Sequence, residues 1–388
     1  MKPEFKNLKN NTFIWSPMIS HVGTIRAAIG MAKSLAKYGK INVYLINVFG
    51  EFDDYKYSKN FKLLNIFNKI SFYKTGIFSK ILIYTFTVFS IPSLIFYILK
   101  YKPKLIITCL VGYMPTILKF IFKNLIVINS IQGYPKLNIS RRFLWKNIYF
   151  KSDGLITMTN ITKNKLQKEF GFQSSKMIKI DNPIISRKIR LMANANLEKE
   201  DLRYFEKKVF CSIGRLTRQK NYLELLKAFD NFSKICKDKD KANLIIIGEG
   251  EERVILEEFI NKNNIKNCFL LGFKKNPYKY LSRSNLYISS SLWEEPGHTI
   301  VEAGYLNVPV LSSDCPNGPR EIINDNINGF KYSINNIGEF TNKLVEIENI
   351  DKKKLNLIKY NMKKTISNFT EFKFYYKFYN YYDFFSNK

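Results

Sequence analysis

Short, β-branched apolar runs alternate with helix-like stretches along this chain, and the alternation is played through twice. Residues 12–15 (TFIW), 41–48 (INVYLINV), 105–110, 125–130, 154–159 (GLITMT) and 177–183 read as strands. A helical run, TIRAAIGMAKSLAKYG, follows the loop at 16–23 and ends at Gly39 as a C-cap, and a second helical stretch ends at Gly171. Residues 184–206 lack clear periodicity and read as a connector. The pattern then restarts, with strands at 209–214, 244–248, 268–272, 286–291 and 308–313. Helices are predicted between them at 221–236, 251–263 and 298–306. Strands that are apolar throughout rather than alternating must be covered on both faces, and strand–helix repeats do this with parallel sheets. The expectation is an α/β chain with two parallel-sheet domains, dividing where Pro183 follows Asn182.

The 388 residues suit two ordinary domains. Five widely spaced cysteines without a CxxC pair argue against a disulfide scaffold and a zinc ribbon, and fit a reducing compartment. Two histidines, His21 and His298, exclude a three-histidine metal site. The net charge is +30, and it is uneven. Residues 1–182 hold 28 basic and 7 acidic residues, net +21, whereas 183–388 hold 34 and 25, net +9. Such a field attracts nucleic acid, anionic lipid or a phosphate-bearing substrate. Abundant Lys, Asn, Ile, Phe and Tyr also reflect compositional bias, which accounts for the total better than for the asymmetry.

No secretory signal is visible at the N-terminus. Residues 81–99 are 19 uncharged residues between Lys80 and Lys100, long enough for a membrane span. A span there would put strands 12–15 and 41–48 on the opposite side of a bilayer from 105–110, so a core helix or a membrane-surface helix fits better. The last 18 residues contain ten aromatics. Aromatics can stack on single-stranded bases, but a terminal helix packing on the domains or a bilayer is the more ordinary reading.

Three segments carry chemistry. In 289–321, Glu294 and Glu302 are separated by seven residues, with Pro296-Gly297 breaking the chain before a helix starts. Free backbone N–H groups at Gly297, His298 and Thr299 would make an anion site; a capped surface helix with acidic residues shares the pattern. In 212–229 a strand ends at Gly214, and Arg215 and Lys220 follow in the loop before a helix, a pairing suited to a diphosphate. A basic loop on a basic protein explains the same spacing. In 244–253, Gly248 and Gly250 follow a strand, but Arg253 stands where a dinucleotide fingerprint needs its third glycine.

Taken in order, the strand-Gly-Arg-x4-Lys segment, IIGEGEE, LLGF, WEEPGHTIVEA, VPVLSSD and GPRE resemble glycosyltransferase family 4, retaining enzymes of the GT-B fold. The likeness covers most of 209–331 and, more loosely, 16–38, KPKLIITC, LIVINSIQGYP and Asn182-Pro183. It implies two Rossmann-like domains facing across a cleft, 1–182 for the acceptor and 183–370 for the nucleotide-sugar, with a helix at 371–388 returning to the first. Arg215 and Lys220 would hold the donor diphosphate, Glu294 the sugar hydroxyls and Glu302 the ribose. Gly23, Gly214, Gly297, His298 and Thr299 would border the donor, and Phe273 would meet the base. Gln132 stands where many members carry a histidine, and its amide can bond a hydroxyl but cannot trade a proton at neutral pH.

The donor would be a nucleoside-diphosphate sugar, with a UDP-sugar favoured, acting as substrate; no cofactor and no metal are expected. The basic first half and residues 81–99 suit a glycan or polyprenyl-diphosphate acceptor at an anionic membrane surface, the protein being peripheral at the cytoplasmic face. A transferase with a soluble acceptor, a basic nucleic-acid-binding protein and an integral membrane protein are the alternatives.

Overall fold

The computed structural model describes residues 11–18, 23–67, 77–133, 138–235 and 242–386. His21 and Cys236 lie outside them. Two compact units result, residues 1–184 with 369–388 and residues 185–368.

The first unit runs β1 (Thr12–Trp15), α1 (Gly23–Gly39), β2 (Val43–Asn47), β3 (Lys62–Asn65), α2 (Ile77–Phe89), α3 (Ile91–Tyr101), β4 (Leu105–Thr108), α4 (Tyr113–Leu118), β5 (Ile126–Ile131), α5 (Ile139–Asn147), β6 (Gly154–Thr157), α6 (Asn160–Phe170) and β7 (Met177–Lys179). Its seven strands are ordered β3-β2-β1-β4-β5-β6-β7, and every pairing is parallel. Successive side chains of a strand point to opposite faces. Accordingly Ile14 joins one core with Ile25, Ala28, Ile29 and Leu35 of α1, while Phe13 and Trp15 join another with Leu94, Ile98, Met114 and Leu118. The chain's aromatic end is α15 (Glu371–Ser386), which returns to this unit and packs against α1. Phe374, Tyr375, Phe378, Tyr381 and Tyr382 recur at helical spacing and are buried. The Tyr381 hydroxyl accepts from Leu155 N at 2.9 Å and donates to the Lys176 carbonyl at 2.5 Å. A Cβ on Gly154 would stand 2.4 Å from that hydroxyl, so the strand passes under α15 only because residue 154 lacks one. The aromatic run is thus spent largely on a core.

The second unit runs α7 (Arg187–Ala193), β8 (Lys208–Ile213), α8 (Tyr222–Ile235), β9 (Ala242–Ile247), α9 (Arg253–Lys262), β10 (Cys268–Leu270), α10 (Tyr278–Leu281), β11 (Leu286–Ser289), α11 (His298–Tyr305), β12 (Val310–Ser313), α12 (Gly318–Ile322), β13 (Phe330–Tyr332), α13 (Ile337–Glu348) and α14 (Lys352–Ile366). Its six parallel strands are ordered β10-β9-β8-β11-β12-β13.

Two expectations are corrected. The stretch 184–206 is not only a connector: it holds α7, whose Ile189 and Ala193 are buried beside Tyr278. Residues 81–99 form no single helix: α2 and α3 meet at Ser90 with a bend of 48°. Pro92 lacks the N–H that a continuous helix would need there.

Candidate functional site

In an open parallel sheet, ligands bind beyond the carboxyl ends of the strands where the strand order reverses. In the second unit that point lies between β8 and β11. The loops leaving these two strands are zipped together: Leu292 N donates to the Gln219 carbonyl at 2.8 Å, Gln219 Nε2 to the Trp293 carbonyl at 2.8 Å, and Ser290 Oγ to the Lys220 carbonyl at 2.7 Å. This brings Lys220 and Glu294, 74 residues apart, into an ion pair. Their side chains are 19% and 11% exposed, half-withdrawn from water rather than solvated. Ser291 Oγ donates to the same carboxylate oxygen at 2.8 Å.

Glycines make this approach possible. A Cβ on Gly214 would lie 2.9 Å from Lys220 Cε and from the Tyr222 hydroxyl. One on Gly248 would lie 1.9 Å from the Gly214 carbonyl oxygen, and one on Gly250 2.2 Å from that of Leu216. The ends of β8 and β9 therefore touch backbone to backbone, and Leu216 N donates to the Glu249 carbonyl at 3.0 Å. The incomplete glycine pattern at 248–253 thus has a packing role.

Beyond Glu294 the chain turns at Gly297, whose φ of +90° is the left-handed region that favours glycine, and enters α11. Gly297, the N-cap residue, has no side chain with which to cap this helix start. Residues 294–296 rest on the 317–318 turn: Glu294 bridges Asn317, and Gly318 N donates to the Glu294 carbonyl at 3.2 Å. The two ends of the 289–321 segment are thereby joined.

Arg215 is exposed and has no acidic partner among the described residues. Phe273, beyond β10, is 76% exposed. Thr299 Oγ1 accepts from the buried Tyr287 hydroxyl at 2.6 Å, so that side chain anchors α11 from below. Burial drives the Tyr287 hydroxyl far above its usual pKa, leaving it a permanent donor there. Glu302 is 2% exposed and accepts from the Tyr278 hydroxyl at 3.0 Å. Sequence reasoning does not single out Tyr278; it sits on α10 in an unremarkable aromatic run, and only folding sets it beside α11. Cys315, fully buried, has its thiol pushed up to about 12 by burial and is no nucleophile.

The remaining two sequence candidates lie in the first unit. Gly23 opens α1 and is exposed. Gln132 follows β5 and exchanges bonds with the buried Asn182: Asn182 Nδ2 donates to Gln132 Oε1 at 2.8 Å, and Gln132 Nε2 donates to Asn182 Oδ1 at 3.3 Å and to Ser130 Oγ at 2.7 Å. Its amide thus fastens β5 to the end of the domain. It also borders a cavity of about 300 Å³ beyond β4 and β5, walled by Tyr84, Tyr113, Trp145, Tyr149 and Arg141. Among the described residues no group of three or more His, Cys, Asp or Glu side chains could hold a metal ion.

Two parallel-sheet α/β domains with these strand orders make the GT-B fold. Residues 194–364, nearly all of the second unit, match the family Glycosyl transferases group 1. An uncharacterized glycosyltransferase of Methanocaldococcus jannaschii is 37% identical over 204 residues, 52% of this chain and 50% of that protein. N-acetylgalactosamine-N,N'-diacetylbacillosaminyl-diphospho-undecaprenol 4-alpha-N-acetylgalactosaminyltransferase of Campylobacter jejuni is 26% identical over 200 residues, 51% of this chain and 52% of that protein. The chain spans about half the length of these curated relatives. Solved structures match over far more. A glycosyltransferase of Rickettsia africae superposes with a TM-score of 0.77 at 18% identity, covering 98% of this chain and all of that one. HepE of Anabaena, solved in complex with UDP, superposes at 0.74 and 16% identity, again over 98% and 100%.

Proposed function

We propose that the protein is a retaining glycosyltransferase of family 4, moving a sugar from a UDP-sugar to a lipid-linked or glycan acceptor in surface polysaccharide synthesis. The observation that carries this reading is the Lys220–Glu294 pair at the strand-order reversal, beside a helix that starts at Gly297, in the part of the chain that matches glycosyl transferases. The relative from Campylobacter jejuni, named for a diphospho-undecaprenol acceptor, supports the acceptor class, and HepE with UDP supports the donor.

In this reading Arg215, Lys220 and the N–H groups at Gly297 and His298 neutralise the charge that grows on the departing diphosphate. Glu294 takes sugar hydroxyls while Lys220 holds its carboxylate in place. Glu302, oriented by Tyr278, accepts from the ribose hydroxyls, and Phe273 lies over the base. Gly214 and Gly23 let backbone approach the donor. The bond from anomeric carbon to phosphate oxygen breaks, the acceptor oxygen bonds to that carbon from the same face, and the acceptor proton passes to the leaving diphosphate. The scheme uses no enzyme nucleophile, and Gln132 serves as scaffold or as a sugar contact. Its fixed cations also leave no step that calls for a metal ion. The basic first unit supports a position at the cytoplasmic face of an anionic membrane.

Thermal unfolding with UDP, GDP, ADP and CMP in EDTA tests this. A ligand at 100 times its Kd stabilises by about 2.7 kcal/mol. UDP should stabilise the wild type and not Glu302→Ala. No shift with any nucleotide, metal present or not, would overturn the reading.

A further inference from the structure

Residues 55–152 contain sixteen Lys and Arg and not one Asp or Glu. Within them, α2, α3 and α4 cover the face of the first sheet that carries Phe13 and Trp15. Helices in such a layer ordinarily bury one stripe and turn a polar one to water. Their inner stripe is ordinary: Leu94, Ile98, Met114 and Leu118 are buried. Their outer stripe is apolar too. Val88 and Phe89 on α2 are 48% and 66% exposed, Phe96 and Leu99 on α3 57% and 60%, and Phe120 and Ile121 just past α4 63% and 66%. Tyr84 stacks on Tyr113 with centroids 6.3 Å apart, tying α2 to α4. Lys100, Lys102, Lys104 and Lys123 are exposed around this layer, with no acidic partner among the described residues. The Lys100 ammonium lies 5.7 Å from the Phe96 ring, as a cation does when its stem covers apolar surface.

No single helix among the described residues is long and apolar enough to cross a membrane. Straightening the bent α2–α3 pair into a span would strip Leu94 and Ile98 from the core they share with Phe13 and Trp15.

We propose that this layer lies flat in the interface of an anionic bilayer. Val88, Phe89, Phe96, Leu99, Phe120 and Ile121 enter the boundary between headgroups and acyl chains, and the four lysines bind lipid phosphates. Charge complementarity selects the occupant: sixteen basic residues and no acidic one across 98 residues match a uniformly anionic lipid surface. The inference rests on the proposed function for its purpose, bringing the transferase domain to a lipid-linked acceptor.

The test is co-sedimentation of the full chain with vesicles of phosphatidylcholine, with and without phosphatidylglycerol, at about 0.1 M salt. The wild type should bind only the anionic vesicles. Replacing Val88, Phe89, Phe96 and Leu99 together by Ser should weaken partitioning about tenfold or more. Replacing Lys100, Lys102, Lys104 and Lys123 by Gln should abolish the preference for phosphatidylglycerol. Phe96→Trp gives a readout in a nearly intact protein: its emission should shift to the blue with anionic vesicles and be quenched by shallow rather than deep lipid-borne quenchers. UDP stabilisation measured on each variant separates the two readings. Vesicle binding lost with UDP stabilisation kept supports the inference. A wild type that responds to UDP but ignores anionic vesicles overturns it and leaves the transferase standing. Insertion of Phe96→Trp without any nucleotide response upholds it and removes the transferase. A chain that resists alkaline carbonate, or a dimer that the serine variant dissociates without vesicle binding, overturns it in favour of a span or a self-interface.

Discussion

Gly318→Ala should disable the site from beneath. The added Cβ would stand 1.8 Å from the Pro296 carbonyl oxygen, 2.3 Å from its carbon and 2.7 Å from its Cα. Real Cβ contacts stay beyond 3.0 Å, so 3.0 − 1.8 = 1.2 Å must be found, and all three neighbours are backbone atoms that cannot rotate aside. The yielding element is the 294–296 loop, which Gly318 N ties to the Glu294 carbonyl. Its displacement carries Glu294 away from Lys220 and Ser291. Overpacking of this kind costs about 1–3 kcal/mol. For a domain near this size each kcal/mol lowers Tm by roughly 2–4 °C. We therefore expect the second unit to melt about 2–12 °C lower by calorimetry. A misplacement near 1 Å costs about a hundredfold in rate, which sugar transfer would report together with a lost response to UDP. Gly133→Ala, where nothing lies within 4 Å of the new Cβ, is the control. A Gly318→Ala protein that melts with the wild type and keeps its UDP stabilisation would refute the claim that this turn positions Glu294.

Lys220→Ala leaves the largely buried Glu294 carboxylate with Ser291 as its side-chain partner among the described residues; transfer should fall about 10²–10³-fold, measured at saturating donor. Tyr278→Phe removes a donor to buried Glu302, and calorimetric titration should show UDP bound about tenfold more weakly. Glu51, at the end of β2, has its carboxyl pushed up to about 7 by burial, against which bonds from Phe49 N and Val48 N act. The folded chain therefore holds a proton that the unfolded chain releases near pH 4.5. The stabilisation from that proton is full below pH 4.5 and is lost as pH rises through 7, by up to about 3 kcal/mol. Denaturant unfolding between these limits should show the fall in the wild type and a flatter profile in Glu51→Gln; parallel profiles would refute the assignment.

Strands such as VYLIN in β2 and ANLIII in β9 are legible in the sequence because burial on both faces demands unbroken apolar runs. The short edges escape that logic. β3 carries the exposed Lys62, and β13 is only FKY, so neither has the apolar length that marks a strand. α7 hides among charges because only Ile189 and Ala193 need burial. Within the site, Arg215, Lys220, Glu294 and Glu302 stand out by residue type and spacing from glycines and helix starts, which are local properties.

The sequence by itself therefore determined two parallel-sheet domains and nominated charged residues at strand ends, since both follow from periodicity and nearby turns. Only the tertiary structure decided which of them meet. Lys220 faces Glu294, Tyr278 orients Glu302, and Gly318 props the loop at Pro296 because β11 lies beside β8 and β12 beside β11. Strand order is fixed by the packing of the whole sheet, and no local pattern encodes it.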